Sequence, residues 1–76
     1  MAAKYPYTVT PEKDGTFFVK FLDFPTGITE GSSAENAKAM AEEMVAGLVE
    51  CYKADGMALP TASAVGELDF VEIEPG

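Results

Sequence analysis

The sequence predicts an α+β fold, β-β-β-α-β, built as a mainly antiparallel sheet with one amphipathic helix packed on one face. Three observations carry that prediction. With 76 residues the chain lies below the length at which chains divide, so residues 1–76 read as a single domain. Both ends alternate apolar and polar residues with a period of two, as half-buried strands do. The middle repeats apolar residues at spacings of three and four, as a helix lying on a sheet does. A composition of 47% hydrophobic and 24% charged residues is that of a folded chain rather than a disordered one. The core is thin, because a domain of about 60 residues removes only about 60% of its unfolded surface from water. Self-association or a partner would add burial, so a homo-oligomer is an open expectation.

From Lys4 to Thr10, Tyr5, Tyr7 and Val9 alternate with Pro6, Thr8 and Thr10, giving a first strand with one apolar face. Pro6 cannot donate to a ladder, which predicts a strand start or an edge. Pro11-Glu12-Lys13-Asp14-Gly15 supplies turn chemistry, with Asp-Gly tolerant of positive φ, before a second strand over Thr16 to Leu22. Phe17, Val19 and Phe21 share one face of it, and Phe18, Lys20 and Leu22 the other. Both faces carry apolar bulk, and alternation does not say which lies under the helix.

Asp23-Phe24-Pro25-Thr26-Gly27 breaks the ladder, leaving room for a short third strand, Ile28 to Glu30, before Gly31. The helix starts at a serine: Ser32 with Glu35, or Ser33 with Asn36, puts a hydroxyl at the N-cap and an acceptor three residues on. Ala34, Ala37, Met40, Ala41, Met44, Val45, Leu48, Val49 and Tyr52 then form its apolar stripe, with Glu35, Glu42, Glu43, Glu50 and Lys53 opposite. Gly56 suits the position just past the helix end. Met57 to Gly66 reads as a surface connection. In the last strand, within Glu67 to Glu74, Val71 and Ile73 point inward and Phe70, Glu72 and Glu74 outward.

Five lysines, no arginine and thirteen acidic residues give 5 − 13 = −8. Phosphate backbones are held by Lys and Arg, so no direct nucleic-acid binding is expected of this domain. The acidity fits a basic partner or plain solubility. The single cysteine, Cys51, cannot close an intramolecular disulfide, which points to the cytoplasm, and it reads as a small buried hydrophobe at the border of the helical stripe. No apolar h-region and no run of about 18 apolar residues occurs, so neither a signal peptide nor a membrane span is expected.

The chain contains no histidine, which removes serine–His and cysteine–His nucleophile pairs and leaves too few ligands for zinc. Glu12, Asp14, Asp23, Glu30 and Asp69 are oxygen ligands of the kind Mg²⁺ takes, yet turns and strand ends already explain them. The glycines spell neither a P-loop nor a dinucleotide fingerprint, and no cofactor or metal is expected.

Several stretches carry a resemblance. Lys4-Tyr5-Pro6, Asp14-Gly15 and Phe17-Phe18-Val19-Lys20-Phe21 are followed by Leu22-Asp23-Phe24-Pro25-Thr26-Gly27-Ile28-Thr29-Glu30-Gly31-Ser32-Ser33-Ala34-Glu35-Asn36-Ala37, the most specific run. With Asp55-Gly56-Met57-Ala58-Leu59-Pro60 after the helix, the text is similar to the N-terminal domain of the HicB antitoxins over nearly its whole length. Thr26-Gly27 departs from the Gly-Cys many members have there, and Asn36 from a usual Glu; both departures touch turn and cap only. The resemblance implies a partial ribonuclease-H-like fold and a non-enzymatic antitoxin that binds and neutralises a small basic HicA-like mRNA-cleaving toxin. It also implies a C-terminal DNA-binding domain, which is not present by Gly76, so the chain reads as a fragment or as a single-domain member. Toxin contacts are expected at the carboxylates Asp23, Glu30, Glu72 and Glu74, with Phe24 and Phe70 as apolar anchors. Two other readings compete: a degenerate or active Mg²⁺-dependent ribonuclease-H-like enzyme, and an acidic nucleic-acid-mimicking scaffold.

Overall fold

Alternating residues and turn chemistry produce the strands where the sequence places them. The computed structural model describes residues 3–74; Met1, Ala2, Pro75 and Gly76, the ends of the expected 1–76 domain, lie outside the described residues. Along the chain run β1 (Ala3–Pro11), β2 (Phe17–Phe21), β3 (Ile28–Gly31), α1 (Ala34–Ala54) and β4 (Asp69–Ile73). The strands form one sheet in the order β3-β2-β1-β4, each neighbouring pair antiparallel. The predicted α+β class and element order both hold.

The β1–β2 turn closes as its residues dictate. Gly15, at φ 89°, donates to the Glu12 carbonyl, and Glu12 N–H donates to the Thr16 carbonyl. Asp14 accepts from the Thr16 N–H at 3.0 Å and its hydroxyl at 2.6 Å. These donors hold the Asp14 carboxyl below the usual range, the hydroxyl contributing most.

Pro6 departs from the sequence expectation, because β1 is a central strand and Pro6 stands inside it, opposite Phe70 of β4. Hydrogen bonding explains how it is tolerated. The Pro6 carbonyl accepts from Leu22 N–H, so the backbone of residue 6 faces β2 and not β4. On that side the β1–β2 pairing ends at Tyr7 and Phe21, and the missing N–H falls at the end of the ladder.

Of the two possible caps, Ser33 is the one used: its hydroxyl accepts from Asn36 N–H, while the Asn36 side chain accepts from Ser32 N–H. At the other end Gly56, at φ 67°, donates to the Lys53 carbonyl, and Met57 N–H donates to Tyr52. This pair of bonds is a Schellman closure, which needs the left-handed residue that glycine supplies. The start of α1 sits so close to β3 that a Cβ on Gly31 would collide with the Ala37 backbone.

Phe17, Val19 and Phe21 are the β2 residues that face α1. The core joins Tyr5, Tyr7, Val19, Phe21 and Val71 from the sheet with Ala37, Ala41 and Val45 from the helix, and Phe24 from the loop after β2. Phe24 is the hub of its aromatics. Its ring lies 4.8 Å from Tyr5, 6.2 Å from Phe21 and 5.7 Å from Tyr52, the last two edge-to-face. The segment 57–68 completes the cover: Tyr5 donates its hydroxyl to the Pro60 carbonyl at 2.9 Å, and Ala62 packs against the core. Burial raises the Tyr5 phenol pKa, with the Asp23 charge adding to it.

Candidate functional site

The helix and the 57–68 segment cover one face of the sheet, and strand register fixes what the other face presents. Lys20 pairs with Ile28 and with Thr8, Phe18 with Glu30 and with Thr10, Pro6 with Phe70, and Lys4 with Glu72. Paired residues share a face, so these side chains together form the open side of the sheet. Its middle is mostly apolar, broken by the exposed Lys20. Leu22, Ile28 and Phe70 are 48%, 44% and 40% exposed, while Pro6 between them is fully buried.

Charge sits around that apolar middle. Glu30 lies on one edge strand and Glu72 on the other, and the pairings place them near opposite ends of β1. Strand spacing and rise separate them by about 25 Å. Glu30 lies 3.2 Å from the Thr16 hydroxyl. Lys4 reaches over the Phe70 ring, its Nζ 5.3 Å from the centroid, and is the residue paired with Glu72. An apolar centre with a charged rim is the anatomy of a protein–protein interface.

The six residues named from sequence are thus divided. Glu30, Phe70 and Glu72 come together on the open face. Glu74 follows β4 and is exposed. Asp23 is half-buried, and its two carboxylate oxygens accept from the backbone N–H and hydroxyl of Ser63, which pins the 57–68 segment. Phe24 corrects its expected place: at 1% exposure it belongs to the core and offers no surface to a partner in this form.

Cys51 also corrects its reading, since it is exposed rather than buried. Its position on the helix flank falls beyond the part of the stripe that meets the sheet. Among the described residues no three Asp, Glu, Cys or His side chains gather as metal ligands. Asp14 and Glu30 approach each other through Thr16, whereas Asp23 is engaged by Ser63, and Asp69 opens β4 opposite Tyr7. No helix among the described residues is long and apolar enough to cross a membrane.

Sequence reasoning passed over Ile28. Its signal lay in the register, because only the pairing with Lys20 reveals that it joins Leu22's side of the sheet.

Comparison with known proteins adds a biological setting. Residues 4–72 match the family described as the HicB_like antitoxin of bacterial toxin-antitoxin systems. The chain is 34% identical over 70 residues to Antitoxin HicB 1 of Photorhabdus laumondii subsp. laumondii, covering 92% of this chain and 44% of that one. Antitoxin HicB 2 of the same organism is 36% identical over 74 residues, 96% of this chain and 52% of its own. Antitoxin HicB of Escherichia coli is 30% identical over 71 residues, 92% of this chain and 51% of its own. The chain spans about half the length of the curated relatives it matches.

Proposed function

This chain belongs to the HicB-like antitoxin family of bacterial toxin–antitoxin systems, and from that premise we propose that it binds and neutralises, without catalysis, a small basic mRNA-cleaving toxin of the HicA kind in the cytoplasm. The observation that carries this reading is the open sheet face, where Leu22, Ile28 and Phe70 are exposed side chains, with Glu30 and Glu72 on its two edge strands. A ribonuclease holds RNA with positive charge, so its working surface is one that an acidic partner matches. At −8 this chain steers such a partner from a distance. Glu30, Glu72 and Glu74 act at the rim, and Phe70 with Leu22 and Ile28 supplies the desolvated centre where binding energy concentrates. Asp23 and Phe24 serve the interface from below, Asp23 by tethering Ser63 and Phe24 by filling the core under the sheet.

Titration calorimetry of the chain against a basic toxin with a disabled active site, at low and high salt, tests this. Tight binding that persists at high salt and is lost in Phe70→Lys supports the reading. Binding to several unrelated basic proteins, collapsing with salt, would identify an acidic nucleic-acid mimic instead. Mg²⁺-dependent cleavage of an RNA–DNA hybrid by the chain alone would identify a ribonuclease-H-like enzyme.

A further inference from the structure

Lys20 is the cation at the centre of the open face. It stands opposite Ile28 of β3 and Thr8 of β1, and Phe18 and Leu22 flank it on the same side of its own chain segment. None of these four neighbours is charged. Glu30, one diagonal step away, lies 3.2 Å from the Thr16 hydroxyl. The other lysine of this face is placed differently: the Nζ of Lys4 lies over the Phe70 ring, and Glu72 is its cross-strand partner.

The surroundings of Lys20 form a recess. Thr8, Lys20, Phe21 and Leu22 line an open cavity of about 380 Å³. Two of them bring hydrogen-bond donors, the Lys20 ammonium and the Thr8 hydroxyl, and Leu22 brings an apolar wall. The Thr8 hydroxyl reaches the Lys20 carbonyl only at 3.5 Å, the long end of a hydrogen bond, so its proton is available to a better acceptor. An ammonium and a hydroxyl side by side, with no acid among the lining residues, suit a carboxylate.

An interface over this face covers Lys20 together with Leu22, Ile28 and Phe70. Interface centres are depleted in charge, because an ammonium taken out of water is costly unless an acceptor meets it. The cross-strand neighbours of Lys20 are not acidic, which leaves the partner to supply the acceptor.

We propose that this recess receives a carboxylate side chain of the toxin, an Asp or Glu set within an otherwise basic surface, with Lys20 as its ion-pair partner and the Thr8 hydroxyl as a second donor. The inference rests on the toxin reading above and narrows the partner: positive at the rim, where it meets Glu30 and Glu72, and negative at one point in the middle. That reversal of sign fixes the register of the complex. A uniformly basic protein sets a cation against Lys20 and is rejected, so Lys20 determines specificity and not long-range attraction.

Calorimetry with the toxin carrying a disabled active site tests this, because the local pair and the long-range field predict opposite signs. Lys20→Glu makes an acidic chain more acidic, which by steering alone tightens binding to a basic toxin. The expected result is the reverse: a dissociation constant raised about a hundredfold or more in Lys20→Glu and about tenfold in Lys20→Met, with the circular dichroism unchanged. Lys38→Glu alters the net charge by the same amount from the exposed surface of α1, on the other side of the sheet, and is expected not to weaken binding. The Lys20→Glu loss persists at high salt, since a desolvated pair is screened less than a rim charge. Changing the toxin's acidic residues to lysine one at a time is expected to yield one variant that restores binding to Lys20→Glu. Unchanged or tighter binding by Lys20→Glu overturns the proposal, as does a loss shared equally by Lys38→Glu, a loss that disappears at high salt, or the lack of any restoring toxin variant. In each of those cases the unaltered chain still binds and the toxin reading stands. An unaltered chain that does not bind ends that reading, and this one with it.

Discussion

The same four strands make both faces of the sheet, one residue out of step, yet the large apolar side chains of the two faces differ sharply in exposure. Toward α1, Tyr5, Tyr7, Val19, Phe21 and Val71 are all buried. Away from it, Leu22, Ile28 and Phe70 keep 40 to 48% of their surface in water. Residue type does not make this difference, since Phe70 is as apolar as Phe21. Cover does: α1 and the 57–68 segment lie over one face, and among the described residues no helix or loop segment lies over the other. A buried apolar side chain is explained by the fold, whereas several exposed ones gathered on one face require an explanation outside it.

The strongest way to break this comparison is on the covered side. Phe24→Ala removes the ring that joins Tyr5, Phe21 and Tyr52, and should cost about 3–5 kcal/mol in urea denaturation. A domain of this size holds little more than that in total, so the variant should be left only marginally folded. A loss below about 1 kcal/mol would show that Phe24 is not the hub described.

The open side should respond in the opposite sense. Phe70→Ala is expected to change folding stability by less than about 1 kcal/mol, yet to weaken toxin binding by about 2 kcal/mol or more, roughly thirtyfold. Denaturation and calorimetry on one preparation separate the two. Equal losses in both would mean that Phe70 is a structural residue and that the faces are not functionally distinct.

This division tracks what was legible in the sequence. The strands, the helix and their caps follow from local rules: period two, spacings of three and four, Ser33 three residues before Asn36, Gly56 after the last turn. The placement of Phe24 does not, because a loop residue has no periodicity to assign it a side, and only the tertiary contacts with Tyr5 and Tyr52 put it inside. Pro6 misled for a related reason. Whether a proline fits a central strand depends on which neighbour its backbone faces, and that depends on where β2 ends. Cys51 failed as a border case, since the stripe runs wider than the band of helix that touches the sheet. Of the candidate site, the outward placement of Phe70 and Glu72 was visible through alternation alone, whereas that of Ile28 needed the register of β3 on β2.

The cover itself can be loosened at its hinge to the sheet. Ser33→Ala removes the acceptor for Asn36 N–H and should cost about 1 kcal/mol. Because the start of α1 rests on Gly31, hydrogen exchange should accelerate first at Ala37 and its neighbours, with strands β1 and β4, which α1 touches least, unaffected. Uniform acceleration through the sheet would mean that helix and sheet open only together.

The smallest effects are those of pH, and they sharpen the comparison because each limb reports a different part of the molecule. Burial raises the phenol pKa values of Tyr5 and Tyr7, with Asp23 and Asp69 adding to them respectively. A raised folded pKa leaves stability intact below the unfolded tyrosine value of about 10 and removes it as pH climbs through the folded value. Tyrosinate absorbance from these two should therefore appear together with the loss of helical circular dichroism, in one alkaline transition of the covered face. Asp14 works in the other direction at the exposed turn. Its lowered pKa supports the fold above the ordinary aspartate value of about 3.9, and that support fades as pH falls through the folded value. Water screens a fully exposed carboxylate, so Asp14→Asn should only flatten the acid limb slightly and leave the alkaline limb unchanged. An alkaline limb that moved with Asp14→Asn would show that the turn and the covered face unfold as one unit well before the core tyrosines ionise.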